Sequence, residues 1–313
     1  MRGFINIDKP RGITSFEAVR RVRRAARTKK VGHAGTLDPN ATGVLPIAIG
    51  EATRLVDELV GARKRYAAEI TFGVETDTYD VEGDTVSEQD ASAVTESRLR
   101  EALTGFVGEQ MQVPPAYSAV KRDGVPAYRA ARRGDPLTLE ARPVVTYALD
   151  VLGFDQTDPS RPVLHLDVRC GKGFYVRSLA HDLGVVLGVG AHLSGLRRTQ
   201  VGPFLAETAI PLDEAVARLE AGDGASLLLP PDAVIGDWPA VTLTAEQAVR
   251  VRQGLDASLG SSGYVAIAGQ RRVRAYAPGG TLLALLEPST VLGAWHPFRV
   301  FPPEPAEPAP AIR

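Results

Sequence analysis

A single cysteine, Cys170, in a chain of 313 residues excludes an intrachain disulfide. It also excludes zinc sites that need two or more thiolates. No apolar run approaches the ~20 residues with which a helix spans a bilayer. The opening segment meets a charge at Asp8 before any signal-type apolar core forms. The chain shows no internal repeat and no cofactor-binding motif. These absences lead us to expect a cytoplasmic protein, off the membrane, with no metal and no cofactor.

Nor is there an excess of either charge, since the net is −1. The distribution is less even. From Arg20 to Lys30 seven of eleven residues are Arg or Lys, whereas Glu75 to Glu101 holds nine acids against two arginines. A neutral total can hide one basic and one acidic face. Arg20, Arg23, Arg24, Arg27, Lys29 and Lys30 are therefore candidate RNA-backbone contacts, with a plain solvated helix face as the alternative.

Thr14 is placed to cap the helix that carries this charge, with Glu17 as its capping-box partner and Phe16, Val19 and Val22 as the buried stripe. Residues 32–39, rich in glycine, read as neither helix nor strand. Tyr66–Phe72 and Leu164–Cys170 alternate as half-buried strands, and Leu179, Leu183, Val186 and Leu187 mark another amphipathic helix. Strand and helix do not alternate regularly, which predicts an α+β fold on a mostly antiparallel mixed sheet.

A boundary is expected near Leu229–Asp232. The domains are then 1–230, a small β-rich domain at 232–300, and a Pro-rich disordered tail at 301–313. The β-rich domain should hold strands at Val241–Leu243, Tyr264–Ala268, Val273–Tyr276 and Leu282–Leu286, with a helix around Glu246–Arg252.

Pro39 biases Asp38 toward an extended backbone, and Gly35 and Gly43 allow sharp bends on either side. Such a loop can hold one carboxylate toward a cleft. An isolated Asp-Pro pair can equally start a simple turn.

The wider pattern favours the cleft. The run His33-Ala-Gly-Thr-Leu-Asp38-Pro-Asn-Ala-Thr-Gly-Val-Leu45, continuing to Gly50-Glu-Ala-Thr-Arg54, closely resembles the active-site motif of TruB-type tRNA pseudouridine synthases. Further blocks recur in that family's order: Lys9–Ser15, Tyr66 with Phe72-Gly73 and Thr76–Thr78, Gln112–Lys121, Gly173–Arg177 and Asp182–Gly184. Together they cover residues 3 to about 205. Departures occur at Gly171 and Phe174, where the family commonly has Ser and Thr. The last 70 or so residues resemble its PUA-like module only at Gly254 and nearby.

The resemblance implies isomerisation of uridine 55 in the tRNA T-loop, on a flipped-out base, without cofactor or guide RNA, by a monomer. Asp38 would be the essential carboxylate, and Arg177 would pair with it. Tyr66 would stack on the base and move a proton, Tyr175 would line the same pocket, and Leu196 would wall it. His33 would fill the gap left by the extruded nucleotide, and Lys9 would support the loop or bind phosphate. The stretch around Pro114–Lys121 would belong to an insert that docks the T-arm.

Two other readings compete. A guide-RNA assembly subunit or RNA chaperone could use the same surface without turnover of its own. A glycoside hydrolase would need a second carboxylate, and none accompanies Asp38 within its motif.

Overall fold

A computed structural model describes residues 1–302 except 123, 136, 261–270 and 292. The chain divides into two compact units between Leu229 and Pro230.

The first unit is built on a ten-stranded mixed sheet, mostly antiparallel. Its strands are β1 (Gly3–Lys9), β2 (Val31–His33), β3 (Thr42–Ile49), β4 (Lys64–Phe72), β5 (Gly108–Gln112), β6 (Arg142–Asp155), β7 (Val163–Cys170), β8 (Ala191–Val201) and β9 (Ile210–Pro211), with Phe204–Leu205 pairing β8. The order across the sheet is β9-β1-β3-β8-β4-β7-β6-β5, and β2 pairs with β3. On β4, Tyr66, Ala68, Ile70 and Phe72 are buried while Glu69 faces water, the period of two that a half-buried strand requires. Leu164, Leu166, Val168 and Cys170 of β7 join the same core. Helices α1 (Ser15–Ala25) and α2 (Val176–Leu187), with those at Glu96–Thr104 and Leu212–Glu220, close it.

The N-terminus of α1 forms as its sequence predicts, except in one respect. Thr14 accepts from the Glu17 amide at 3.0 Å, satisfying one of the helix's orphan donors. The Glu17 carboxylate does not return the bond; it turns to Arg20 at 2.8 Å. Phe16 is a correction, because it is 67% exposed. The inward face consists of Ser15, Ala18, Val19, Val22 and Ala25, whose small side chains let the helix lie close to the core. Val186 is likewise exposed at the end of α2. The stretch read as irregular begins with β2, which the β3 backbone turns into a strand through Val31↔Ile49 and His33↔Ile47.

The second unit carries a five-stranded sheet with the helix Ala245–Arg252 packed into its own core. Strands fall at Ala240–Thr242, Val273–Tyr276 and Leu282–Pro288, near their expected places. Ala257–Ser258 and Ala294–Val300 complete the sheet. The strand expected at Tyr264–Ala268 lies outside the described residues, as does the tail from 303 onward.

Residues 34 to 41 connect β2 to β3 and contain Asp38. Gly43 has φ +99°, and a Cβ there would sit 2.2 Å from the Arg198 carbonyl oxygen. Gly12 also has a left-handed φ, +86°, but open space around it. Gly12→Ala therefore meets backbone strain alone, whereas Gly43→Ala meets strain plus a backbone clash. We expect Gly12→Ala to cost about 1–3 kcal/mol and Gly43→Ala clearly more, read as urea midpoints. Equal losses would show that the clash at Gly43 relaxes freely.

Candidate active site

Arg177 enters from the first turn of α2 and is 6% exposed. Its Nε lies 3.0 Å from the Asp38 carboxylate and its Nη1 3.4 Å from that of Asp80. Nη1 also donates to the Thr78 carbonyl at 3.2 Å, and Nη2 to the Tyr117 carbonyl at 3.0 Å. One guanidinium thus gathers the Asp38 loop, the turn at 76–80, the segment after β5 and α2.

Asp80 is a second carboxylate beside Asp38, absent from the motif but present in space. It is 9% exposed. Oδ1 accepts from the Thr78 hydroxyl at 2.7 Å and the Glu82 amide at 3.0 Å, while Oδ2 faces Arg177. With both oxygens occupied by donors, Asp80 serves to hold Arg177. Its turn is fixed from behind. Tyr79 adopts φ 63°, its carbonyl accepts from Leu193, and its ring stacks on His181 at 4.0 Å.

Asp38, Asn40, Ala41, Asp80, Val81 and Leu193–Leu196 line a small cleft open to solvent. Its apolar wall is shaped by a β-bulge between Leu193 and Gly195, which re-aims this stretch of β8. Leu196 is on the wall, where it was expected.

Tyr66 and Tyr175 lie near Asp38 but not on the lining of this cleft. Tyr66 is 8% exposed, and its hydroxyl meets the Arg198 guanidinium. Burial raises its phenol above the usual tyrosine range, against the pull of Arg198, so the hydroxyl is neutral at physiological pH. Tyr175 is half-buried at the N-cap of α2, its backbone clamped by Gln112 through bonds of 2.8 and 3.0 Å.

Lys9 is fully buried, and its ammonium donates to the carbonyls of Pro10, Ile13 and Pro39 at 2.9, 2.7 and 3.1 Å. All three of its protons are used. Lys9 therefore anchors the Asp38 loop, and its expected contact with phosphate or substrate is corrected. Burial pulls its pKa down to about 8. His33 ends β2, and among the described residues its buried Nδ1 has no hydrogen-bond partner; burial first, then Arg198, lowers its pKa. Arg198, unremarked in the sequence except as a neighbour of Leu196, is 1% exposed and bonded to the loop from inside.

The basic segment is partly self-neutralised. Arg20 pairs with Glu17, Arg21 with Asp213 and Lys30 with Glu51, while Arg23 donates to the Val31 carbonyl. Arg24, Arg27 and Lys29 are exposed.

Comparison with known proteins adds an independent line. The N-terminal domain of the TruB family pseudouridylate synthases matches residues 23–176, and the C-terminal domain of tRNA pseudouridylate synthase B matches 177–234. The tRNA pseudouridine synthase B of Dehalococcoides mccartyi is 42% identical over 96% of this chain and 97% of its own. That of Symbiobacterium thermophilum is 49% identical over 81% and 82%. Among solved structures, a Cbf5–Nop10–Gar1 complex matches at TM-score 0.69 and 32% identity, over 91% of this chain and 78% of that one. An H/ACA RNP bound to a substrate RNA containing 2′-deoxyuridine matches at 0.72 and 28%, over 96% and 85%.

The Asp38 carboxyl lies above the ordinary aspartate range because burial, aided by Asp80, outweighs the opposing pull of Arg177 and Lys9. A raised native value means that the folded state holds this proton longer than the unfolded one does. Stability is then lost as pH rises from about 3.8 through the native value, and the cost persists at neutrality. Asp38→Asn removes it. The variant should melt above wild type at pH 7, with the gain closing below pH ~4. A lower melting temperature at pH 7 would show that the pair with Arg177 outweighs burial.

Proposed function

The chain belongs to the TruB family of pseudouridylate synthases, isomerases that act on tRNA, and from that membership we propose that it converts uridine 55 in the T-loop to pseudouridine without a guide RNA. The observation that carries the reading is the Asp38–Arg177 pair, with Asp38 lining an open cleft and Arg177 buried behind it.

The reaction breaks the C1′–N1 bond and re-forms the link from C1′ to C5 of the same base. Asp38 supplies the anion beside C1′ or C6, as nucleophile or as stabiliser of a cationic sugar. Arg177 fixes the direction of that carboxylate. A uracil inside a stacked T-loop cannot reach it, so the nucleotide flips out and is walled by Leu196. Tyr66 offers a neutral hydroxyl, and His33 fills the gap that the extruded nucleotide leaves in the T-loop. The α1 face, with Arg24, Arg27 and the exposed ring of Phe16, supplies phosphate contacts and a stacking surface. We propose further that the insert around Pro114–Lys121 docks the T-arm and that the enzyme is a cytoplasmic monomer.

Incubation of purified protein with an unmodified tRNA transcript, without guide RNA, should give pseudouridine at position 55 by chemical mapping. Asp38→Asn should abolish it while tRNA affinity stays within severalfold, because phosphate contacts and stacking supply most of the binding. Product that forms only when a guide RNA is added would place the chain with the guide-dependent enzymes, and full turnover by the Asn variant would remove Asp38 from the chemistry.

Replacing Arg20, Arg23, Arg24 and Arg27 together by Gln should weaken tRNA binding and flatten its salt dependence, by roughly 0.7–0.9 in log–log slope per lost phosphate contact. Arg24 and Arg27 should dominate, since Arg20 and Arg23 have partners within the protein. An unchanged slope and affinity would make α1 an ordinary solvated face.

A further inference from the structure

We propose that Arg198 is a positioning residue for the isomerisation, holding the Asp38 loop and the Tyr66 hydroxyl with one guanidinium. This rests on the roles given above to Asp38 and Tyr66.

The argument begins with strand register. On β8, Arg198 stands opposite Gly43 of β3 on one side and Tyr66 of β4 on the other. Residues directly opposite in neighbouring strands project to the same face. Arg198 and Tyr66 therefore share a face, the missing side chain at Gly43 lets the Arg198 backbone lie close to β3, and that at Gly35 leaves room for the guanidinium. From that position Nε donates to the Val44 carbonyl at 2.7 Å and Nη2 to the Gly35 carbonyl at 3.0 Å. These two carbonyls bracket the loop that presents Asp38. The Tyr66 hydroxyl takes the remaining side of the fork.

Burying a guanidinium is expensive unless its donors are satisfied. Among the described residues no carboxylate pairs with Arg198. A core arginine with a merely structural part could take any carbonyls in reach. Here the partners all belong to the two elements that carry the proposed chemistry. A planar fork with fixed donors sets the spacing between loop and tyrosine, whereas an ammonium on a flexible stem would not.

The test is Arg198→Lys, which keeps the charge and loses the fork. We expect a folded protein with tRNA affinity within threefold of wild type and a single-turnover rate at least tenfold lower. In a Tyr66→Phe background the same replacement should cost at least threefold less, because part of what it positions is gone. A rate within twofold of wild type, or an equal loss in both backgrounds, would overturn the proposal. Tyr66→Phe at wild-type speed would remove the role given to Tyr66 and with it the hydroxyl half of this proposal, and Arg198→Lys alone would still decide the loop half. Should Arg198→Lys fail to fold, the Arg198 Nε–H resonance of the otherwise intact enzyme serves instead. Tyr66→Phe should shift it, and an unmoved resonance would overturn the shared contact.

Discussion

Arg177 places a positive charge where water scarcely reaches and surrounds it with two carboxylates and two backbone carbonyls drawn from three separate stretches of chain. Removing an ion from water costs several kcal/mol even after relaxation, so such a group is tolerated only while its partners stay in place. The turn at 76–80, the segment after β5 and the Asp38 loop therefore settle together or not at all. Each of them is irregular backbone that could not hold a carboxylate steady by itself. The guanidinium converts three loops into one rigid site.

The Asp38 loop is tied at other points too. Lys9 draws in Pro39 from one side, and Arg198 grips Gly35 and Val44 from the other. Two fully buried cations and one nearly buried one thus converge on a loop whose own carboxylate is only partly compensated. Burial holds the Asp38 proton longer than an exposed aspartate would, despite Arg177. Its ionised form is therefore left under-compensated, which suits an anion that must meet developing positive charge on a sugar.

Much of this was legible in the sequence, but unevenly. The Thr14 cap, the alternation of β4 and the break after Leu229 follow from local rules, and the structure shows each near its expected place. Asp38 and Arg177 were named by resemblance, 139 residues apart, and no periodicity could have joined them. Asp80 escaped notice although it stands two residues beyond the matched Thr76–Thr78, because its part depends on a left-handed turn at Tyr79. Arg198 escaped because an arginine in a strand reads as exposed, and only the register against Gly43 and Tyr66 shows otherwise. Phe16 failed in the opposite sense. Its spacing fits a buried stripe, yet the close approach of α1 admits Ser15 and Ala18 and turns the large ring outward.

The two charge blocks acquire distinct meanings once folded. The acidic stretch contributes Asp80 to the cleft beside Asp38, so the site presents two carboxylates to whatever enters. A phosphate would be repelled there, whereas a neutral uracil, or a sugar gaining positive charge, would not. Phosphates have to be held elsewhere, and α1 offers exposed arginines and an exposed aromatic ring for that purpose. Under the proposed reading, this separation requires the base to leave its stack. Only a nucleotide swung away from its neighbours can bring an uncharged base to Asp38 while its backbone stays on the basic face.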